Sequence, residues 1–281
     1  MNVRFLKMTG AGNDFILIDN RVEKLATDWS SLARRLCHRR YGIGADGLLV
    51  LEDSKKASFE MKYYNADGSN GGMCGNGGRC ASHYSMKSSG TREVTFVTLD
   101  HVYTGRNNGS TVALTMKNPS RYIPGMNLNI SGGRVVAHFI DTGSPHAVIF
   151  VDELSSDLRV MIGERGINNI GRAIRYHEAF LPSGTNVDFI ELTGPNSISM
   201  RTYERGVEDE TLACGTGAVA SSVISALQRG VTSPVSVLTR GGEKLLVCFE
   251  RTEDRISNVV LEGSTDFVFR GEITLDVSKT T

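Results

Sequence analysis

The chain has 281 residues, 40% of them hydrophobic and 22% charged, and its 31 basic side chains balance 31 acidic ones. That length holds about two domains of ordinary size, and zero net charge offers no general attraction to nucleic acid or acidic membrane surfaces. The longest apolar runs, HAVIFV and EKLLVCF, fall far short of a bilayer span, and MNVRFLKMTGAGNDF lacks the parts of a signal peptide, so a cytoplasmic chain without membrane or nucleic-acid partners is expected.

In the first half, FILIDN, GLLVLE, FEMKYYN, VTFVTL and STVALTM are short runs rich in β-branched and aromatic residues, the pattern of strands. Between the first two, DWSSLARRLCHRR combines an Asp or Ser cap with an apolar face through Trp29, Leu32, Leu36 and Cys37, which predicts a helix. A second helix is expected in GNGGRCASHYSMKSS, opening directly after Cys74. Pro, Gly and Asn cluster in NPSRYIPGMNLNISGG (118–133), which reads as a connection between lobes 1–125 and 126–281, with room for strands of the C-terminal end to cross over to the first lobe. The second half continues with strand patterns VVAHFID, HAVIFVD, NVDFIEL, SISMRTYE, SVLTR, KLLVCFE and NVVLEG. Its clear helix is GTGAVASSVISALQRG, where Val219, Val223 and Leu227 recur every fourth residue and Gly230 can end the helix.

The halves repeat one another. MCGNGGRC at 73–80 and ACGTGAVA at 213–220 both place Cys-Gly-x-Gly at the start of a helix. GNDFILID (12–19) resembles GSPHAVIFVD (143–152), and GADGLLVLE (44–52) resembles TNVDFIEL (185–192), with Asp46 and Asp188 standing 28 and 26 residues before the two cysteines. Three features in one order at a near-constant offset predict an α+β chain of two pseudo-symmetric lobes.

A thiol at a helix N-terminus meets unpaired backbone N–H groups and the positive end of the helix dipole, which favour the thiolate. Glycine after the cysteine lets the backbone approach an anion. With one such site per lobe, a substrate carboxylate held between the helix ends would have its Cα flanked by sulfur on both faces. One thiolate would remove the α-proton and the other thiol would protonate the opposite face, which is racemisation or epimerisation by two bases. His146 and Glu204 could poise the thiols or grip an ammonium group. Asn13, Asn65, Asn76 and Asn186 suit the orientation of amino and carboxylate groups, and Arg205 offers a bidentate grip on a second carboxylate.

The segments GAGNDF, YNADGS with MCGNGGRC, TGSPH, GTNVDF and YERGVEDETLACGTGAVA resemble the signatures of the diaminopimelate epimerase family, in order, from about residue 5 to about residue 270. The resemblance implies two similar lobes, each a mainly antiparallel sheet wrapped around a central helix. It implies a pyridoxal-phosphate-independent reaction, without cofactor or metal, that interconverts LL- and meso-diaminopimelate. Cys74 and Cys214 would be the acid/base pair, with His146 and Glu204 beside the reacting centre. Gly75-Asn76 and Gly215-Thr216 would hold the reacting carboxylate, while Asn13, Asn65, Asn186 and Arg205 hold the distal end of the substrate. A homodimer is implied in the same way. The chain departs from many members at Gly47, where Gln is frequent, and at Ser144, where Asn is frequent; Gly78, in place of Thr or Ala, is a neutral change.

Five cysteines, an odd count without paired metal-ligand spacing, argue against a disulfide framework and against zinc. Cys37 and Cys248 read as buried small hydrophobes, and Cys80 as packing behind the site. His38, His83, His101, His138 and His177 belong to no constellation. Other readings are a racemase for another amino acid such as histidine or a proline derivative, a thiol redox protein cycling Cys74 and Cys214, and a non-catalytic amino-acid binder. A P-loop and a dinucleotide fingerprint are excluded by the missing Lys-Ser/Thr and the missing third glycine.

Overall fold

The computed structural model describes residues 2–253 and 255–274. In chain order it contains β1 (Asn2–Gly10), β2 (Asn13–Asp19), α1 (Asn20–Glu23), α2 (Trp29–Cys37), β3 (Gly47–Glu52), β4 (Phe59–Asn65), α3 (Gly75–Ser89), β5 (Glu93–Thr98), β6 (His101–Asn107) and β7 (Thr111–Thr115). There follow β8 (Ser120–Ile130), β9 (Gly133–Asp141), β10 (Pro145–Phe150), α4 (Ser156–Arg165), α5 (Asn168–Arg175), β11 (Asn186–Gly194), β12 (Ser197–Glu204) and β13 (Asp209–Thr211). The last elements are α6 (Gly215–Arg229), β14 (Val235–Leu238), β15 (Lys244–Thr252), β16 (Arg255–Ser264) and β17 (Asp266–Thr274). Two compact units result, one formed by the described residues up to Thr115 together with those from Glu262 onward, the other by Met116–Leu261. The division falls before the expected boundary at 125/126 because β8 pairs with β9 of the second unit, and the C-terminal strand β17 crosses over to pair with β1 of the first.

In the first unit β1 runs antiparallel to both β17 and β2, β2 is parallel to β3, β3 antiparallel to β4, β4 parallel to β5, and β5, β6 and β7 form an antiparallel run. The turn from β1 to β2 is the pair Ala11-Gly12, with φ +52° and +88°. Positive φ at both positions is the two-residue hairpin geometry whose twist matches that of the strands. Helix α3 packs against β1, β5, β6 and β7, so the sheet wraps around it. Strand alternation gives the sheet two buried faces. Ile16, Ile18, Leu48 and Val50 join Trp29, Leu32 and Leu36 of α2 in one core. Phe15, Leu17 and Leu49, on the opposite face, are equally buried. The predicted α2 is capped by Asp28, whose carboxylate accepts from the backbone N–H groups of Ser30 and Ser31.

The second unit repeats the plan. β8, β9 and β10 are antiparallel, β10 is parallel to β11, β11 antiparallel to β12, β12 parallel to β14, and β14 antiparallel to β15. Helix α6, as long as α3 at 15 residues, packs against β9, β10, β11, β12, β14 and β15. Ala147, Ile149, Val187 and Phe189 point the other way, into a core closed by Leu158 and Ile162 of α4 and Ile170 and Ile174 of α5.

The segment read as a linker is largely strand β8. Pro124 and Gly125 are accommodated where its pairing with β9 slips, between Ser120 and Ile123 and again between Ile123 and Met126. Irregularities of this kind are where a strand tolerates a residue without an N–H. Cys248 is half-buried, not buried as expected, because along β15 the covered residues are its neighbours Val247 and Phe249.

Candidate active site

Cys74 in the first unit is the N-cap residue of α3. Its backbone is extended (φ −117°, ψ 116°), so the side chain turns back over the first turn, and the Gly77 N–H donates to Sγ at 3.4 Å. A Cβ added at Gly77 would lie 3.6 Å from Sγ, an ordinary contact. Asn76, 1% exposed, donates from Nδ2 to Asn13 Oδ1 at 2.5 Å and accepts at Oδ1 from Arg79 Nη2 at 2.7 Å. Asn13 in turn donates to Asp46 Oδ2 at 3.1 Å. Four residues from three places in the sequence thus form one polar chain that fixes both amides. Asn65, at the end of β4, donates to Ser69 Oγ at 3.0 Å and stands opposite Gly47 in the β3–β4 pairing. The Asp46 carbonyl accepts from the Ala66 N–H, next to Asn65.

Cys214 in the second unit caps α6 in the same way, with φ −125°, ψ 114° and the Gly217 N–H 3.4 Å from Sγ. Here a longer polar chain stands behind the thiol. Thr216 Oγ1 lies 3.5 Å from Cys214 Sγ and 2.9 Å from His146 Nε2. His146 Nδ1 lies 2.7 Å from Asp188 Oδ2, and Thr202 donates to Asp188 Oδ1 at 2.6 Å. His146 and Asp188 are fully buried. A carboxylate beside Nδ1 assigns the ring proton to that nitrogen, leaving Nε2 as the acceptor for the Thr216 hydroxyl. Asn186, 3% exposed, donates to Ser144 Oγ and to the Pro145 carbonyl at 2.9 Å each, and its Oδ1 accepts from the Arg205 N–H at 2.9 Å. Arg205 is half-buried and reaches the Ser183 carbonyl at 3.3 Å. Glu204, also half-buried, is near enough for its charge to act on the Cys214 thiol.

The family model for diaminopimelate epimerase matches residues 5–119 and 138–268. The diaminopimelate epimerases of Chlorobaculum tepidum and Flavobacterium psychrophilum are 44% and 39% identical to the chain, covering 95% and 96% of it and all of each relative. The chain belongs to the diaminopimelate epimerase family. It is therefore an isomerase of the epimerase type. Among solved structures it shares its fold with a hydroxyproline epimerase from Agrobacterium vitis (TM-score 0.72, 15% identity, covering 98% of this chain and 93% of that one) and a probable proline racemase from Agrobacterium radiobacter (0.72, 15%, 99% and 94%).

Within this epimerase-family chain, strand pairing sets the correspondence between the units. Gly77 and Gly217 are equivalent positions of α3 and α6. A Cβ on Gly77 would meet Leu49, whereas one on Gly217 would meet Asp188 at 2.5 Å, so Leu49 matches Asp188. The pairings then match Gly47 with Asn186, Phe15 with His146, Asn65 with Glu204 and Tyr63 with Thr202. The expected match of Asp46 with Asp188 does not hold, because Asp46 precedes β3 whereas Asp188 lies within β11. Behind Cys214 stands a hydrogen-bonding set; the equivalent places behind Cys74 hold Phe15, Leu49 and Tyr63.

Asp188 and Thr202 are functional candidates that motif reading misses; in the sequence Asp188 is only a marker of the repeat. Cys214 also corrects the expectation of a favoured thiolate. Burial, followed by the charges of Glu204 and Asp188, holds its pKa well above the usual thiol value, outweighing the Thr216 hydroxyl and the Gly217 N–H. Burial pushes Cys37 and Cys80 up to about 12, in keeping with packing roles. Among the described residues no group of three or more His, Cys, Asp or Glu side chains has a metal-binding arrangement, and no helix is long and apolar enough to cross a membrane.

Proposed function

We propose that the chain interconverts LL- and meso-2,6-diaminopimelate without a cofactor, by a two-base reaction of Cys74 and Cys214, in the supply of lysine and cell-wall precursors. The observation that carries this reading is the duplicated cap: in each unit a cysteine ends an extended segment at a helix N-terminus, its sulfur at 3.4 Å from a first-turn N–H. The remaining N–H groups of Gly75-Asn76 and Gly215-Thr216 suit a carboxylate, whose charge grows as the α-proton leaves. One thiolate takes that proton, the C–H electron pair passes into the carboxylate, and the other thiol delivers its proton to the opposite face of Cα. No electrons are gained or lost overall, and the two sulfurs exchange protonation states.

Cys214, held as the thiol by its buried setting, starts as the acid. For the opposite direction it must give up its proton, and the chain through Thr216 to His146 Nε2 is oriented to receive it, with Asp188 balancing the resulting imidazolium. Asn13, Asn65, Asn186 and Arg205 hold the distal amino-acid end, and Glu204 lies beside the reacting centre. The working form in this reading is a homodimer.

Proton NMR of LL-diaminopimelate with the reduced enzyme in deuterated water tests the proposal. Loss of the α-proton signal together with appearance of the meso form is the expected result. Folded protein with free thiols that exchanges no α-proton overturns it, and the same sample with histidine or a proline derivative then tests for another amino-acid substrate.

A further inference from the structure

Resting on the epimerase reading above, we propose that Tyr63 is a specificity-determining residue, its ring forming an apolar wall for the aliphatic chain of the diamino diacid. The two units differ at one matched pair of strand positions. In the second unit the candidate ligand Asn186 fills its position on β11 with an amide. The equivalent position on β3 is Gly47, which is buried and carries no side chain. The volume is occupied all the same, since a Cβ on Gly47 would overlap Cε2 of Tyr63 and lie 3.1 Å from its Cζ. The other edge of the same ring, Cδ1 and Cε1, fills the place of a Cβ on Gly71, which would also lie 3.1 Å from Asn65 Oδ1. Two glycines therefore grip the ring by opposite edges and fix its plane, while Phe15 meets it edge-on with ring centres 6.0 Å apart.

The ring's surroundings point to a ligand. Tyr63 and Asn65 alternate onto one face of β4, and Leu49, directly across from Tyr63, packs onto Gly77 next to the Cys74 sulfur. Phe15 and Leu49 on this face are sealed, at 1% and 0% exposure, whereas Tyr63 is only half-buried. A fixed, partly open aromatic surface beside a candidate amide ligand, and linked through Leu49 to the turn that carries the thiol, suits contact with methylene groups, and its rigidity means little ordering is lost on binding.

The test is steady-state epimerisation of diaminopimelate by the parent enzyme and by Tyr63→Phe, Tyr63→Leu and Tyr63→Met, with folding checked by cooperative thermal melting. Losing the wall is expected to raise KM about tenfold in the Leu variant, with kcat within about twofold, because contact with a non-reacting segment is made equally in the ground and transition states. Tyr63→Met, which keeps most of the volume but not the flat ring, is expected to behave likewise and serves if the Leu variant does not fold. Tyr63→Phe is expected to stay within about twofold of the parent in both constants. Unchanged KM in folded Leu and Met variants overturns the inference, as does a fall in kcat alone, which would make Tyr63 a support for the thiol through Leu49. A KM rise in Tyr63→Phe equal to that in Tyr63→Leu overturns the apolar wall in favour of the hydroxyl. If the parent enzyme exchanges no α-proton, the epimerase reading falls and this inference with it; exchange by the parent with unaffected variants removes this inference alone.

Discussion

The Thr216 hydroxyl is the narrowest point of the chemistry proposed here, since it touches both the Cys214 sulfur and the His146 ring. Thr216→Val keeps the shape and removes the link while leaving the buried His146–Asp188 pair intact. The loss of one neutral hydrogen bond predicts a fall in kcat of about tenfold with little change in melting temperature. His146→Asn removes the proton acceptor itself and is expected to lower α-proton exchange by about 10²- to 10⁴-fold. It also strands Asp188, which is 0% exposed, so a drop in stability should accompany the loss. Equal activity of Thr216→Val and the parent in the NMR exchange assay would show that Cys214 needs no relay. At this scale the sequence reveals only part of the site. Cys74 and Cys214 announce themselves because Cys-Gly-x-Gly is rare and occurs twice. Asp188 and Thr202 do not, since their meaning lies in a cross-strand pairing and in a 2.6 Å contact that no local motif encodes.

Helices α3 and α6 begin alike but tolerate different changes at their third residue. A methyl group on Gly77 would come within 2.9 Å of the free end of the Leu49 side chain, which can rotate aside. On Gly217 it would come within 2.5 Å of Asp188 Oδ1, and that short side chain is held by His146 and Thr202. Gly217→Ala is therefore expected to destabilise the protein by about 1–3 kcal/mol and to reduce exchange, the cost of overpacking a site that cannot yield. Gly77→Ala should be near neutral, because alanine's better helix propensity, worth about 1 kcal/mol, offsets the shift of Leu49. Urea unfolding of both variants checks the contrast; similar losses would contradict it. The same contrast between strong and weak local signals explains which elements could be read in advance. The capped helix α2 stands out by periodicity, and the apolar strands β2, β3, β10 and β11 by short runs rich in β-branched and aromatic residues. Helices α4 and α5 escape notice because α4 buries only Leu158 and Ile162, and α5 is eight residues long and interrupted by Gly171. Strand β8 is hidden by the Pro and Gly that its irregular pairing absorbs.

At the level of the whole molecule, the first unit holds an ion cluster that ties its stability to pH. Asp14 bonds to Lys7 at 2.7 Å and to Arg39 at 2.8 Å, and Arg39 also reaches Asp46 at 2.7 Å. Burial alone would raise the Asp14 pKa, but the hydrogen bonds and charges of Arg39 and Lys7 win and bring it down to about 2. A carboxylate depressed on folding contributes stability that is complete above its unfolded pKa of about 4 and lost as the pH falls through the folded value. Hydrogen-exchange protection of β2 and β3 is therefore expected to weaken between pH of about 4 and about 2, and Asp14→Asn should remove that part of the pH dependence while lowering protection at neutral pH. An unchanged acid profile in the variant would rule Asp14 out as the source. The discontinuity of the first unit, completed by the pairing of β17 with β1, also has a consequence for synthesis. The residues of the second unit form one uninterrupted stretch and can fold as soon as they leave the ribosome. The first unit must wait through all of that synthesis with one edge of β1 unpaired, a template for association with neighbouring nascent chains. Chaperone protection during translation should accordingly be concentrated on the half made first.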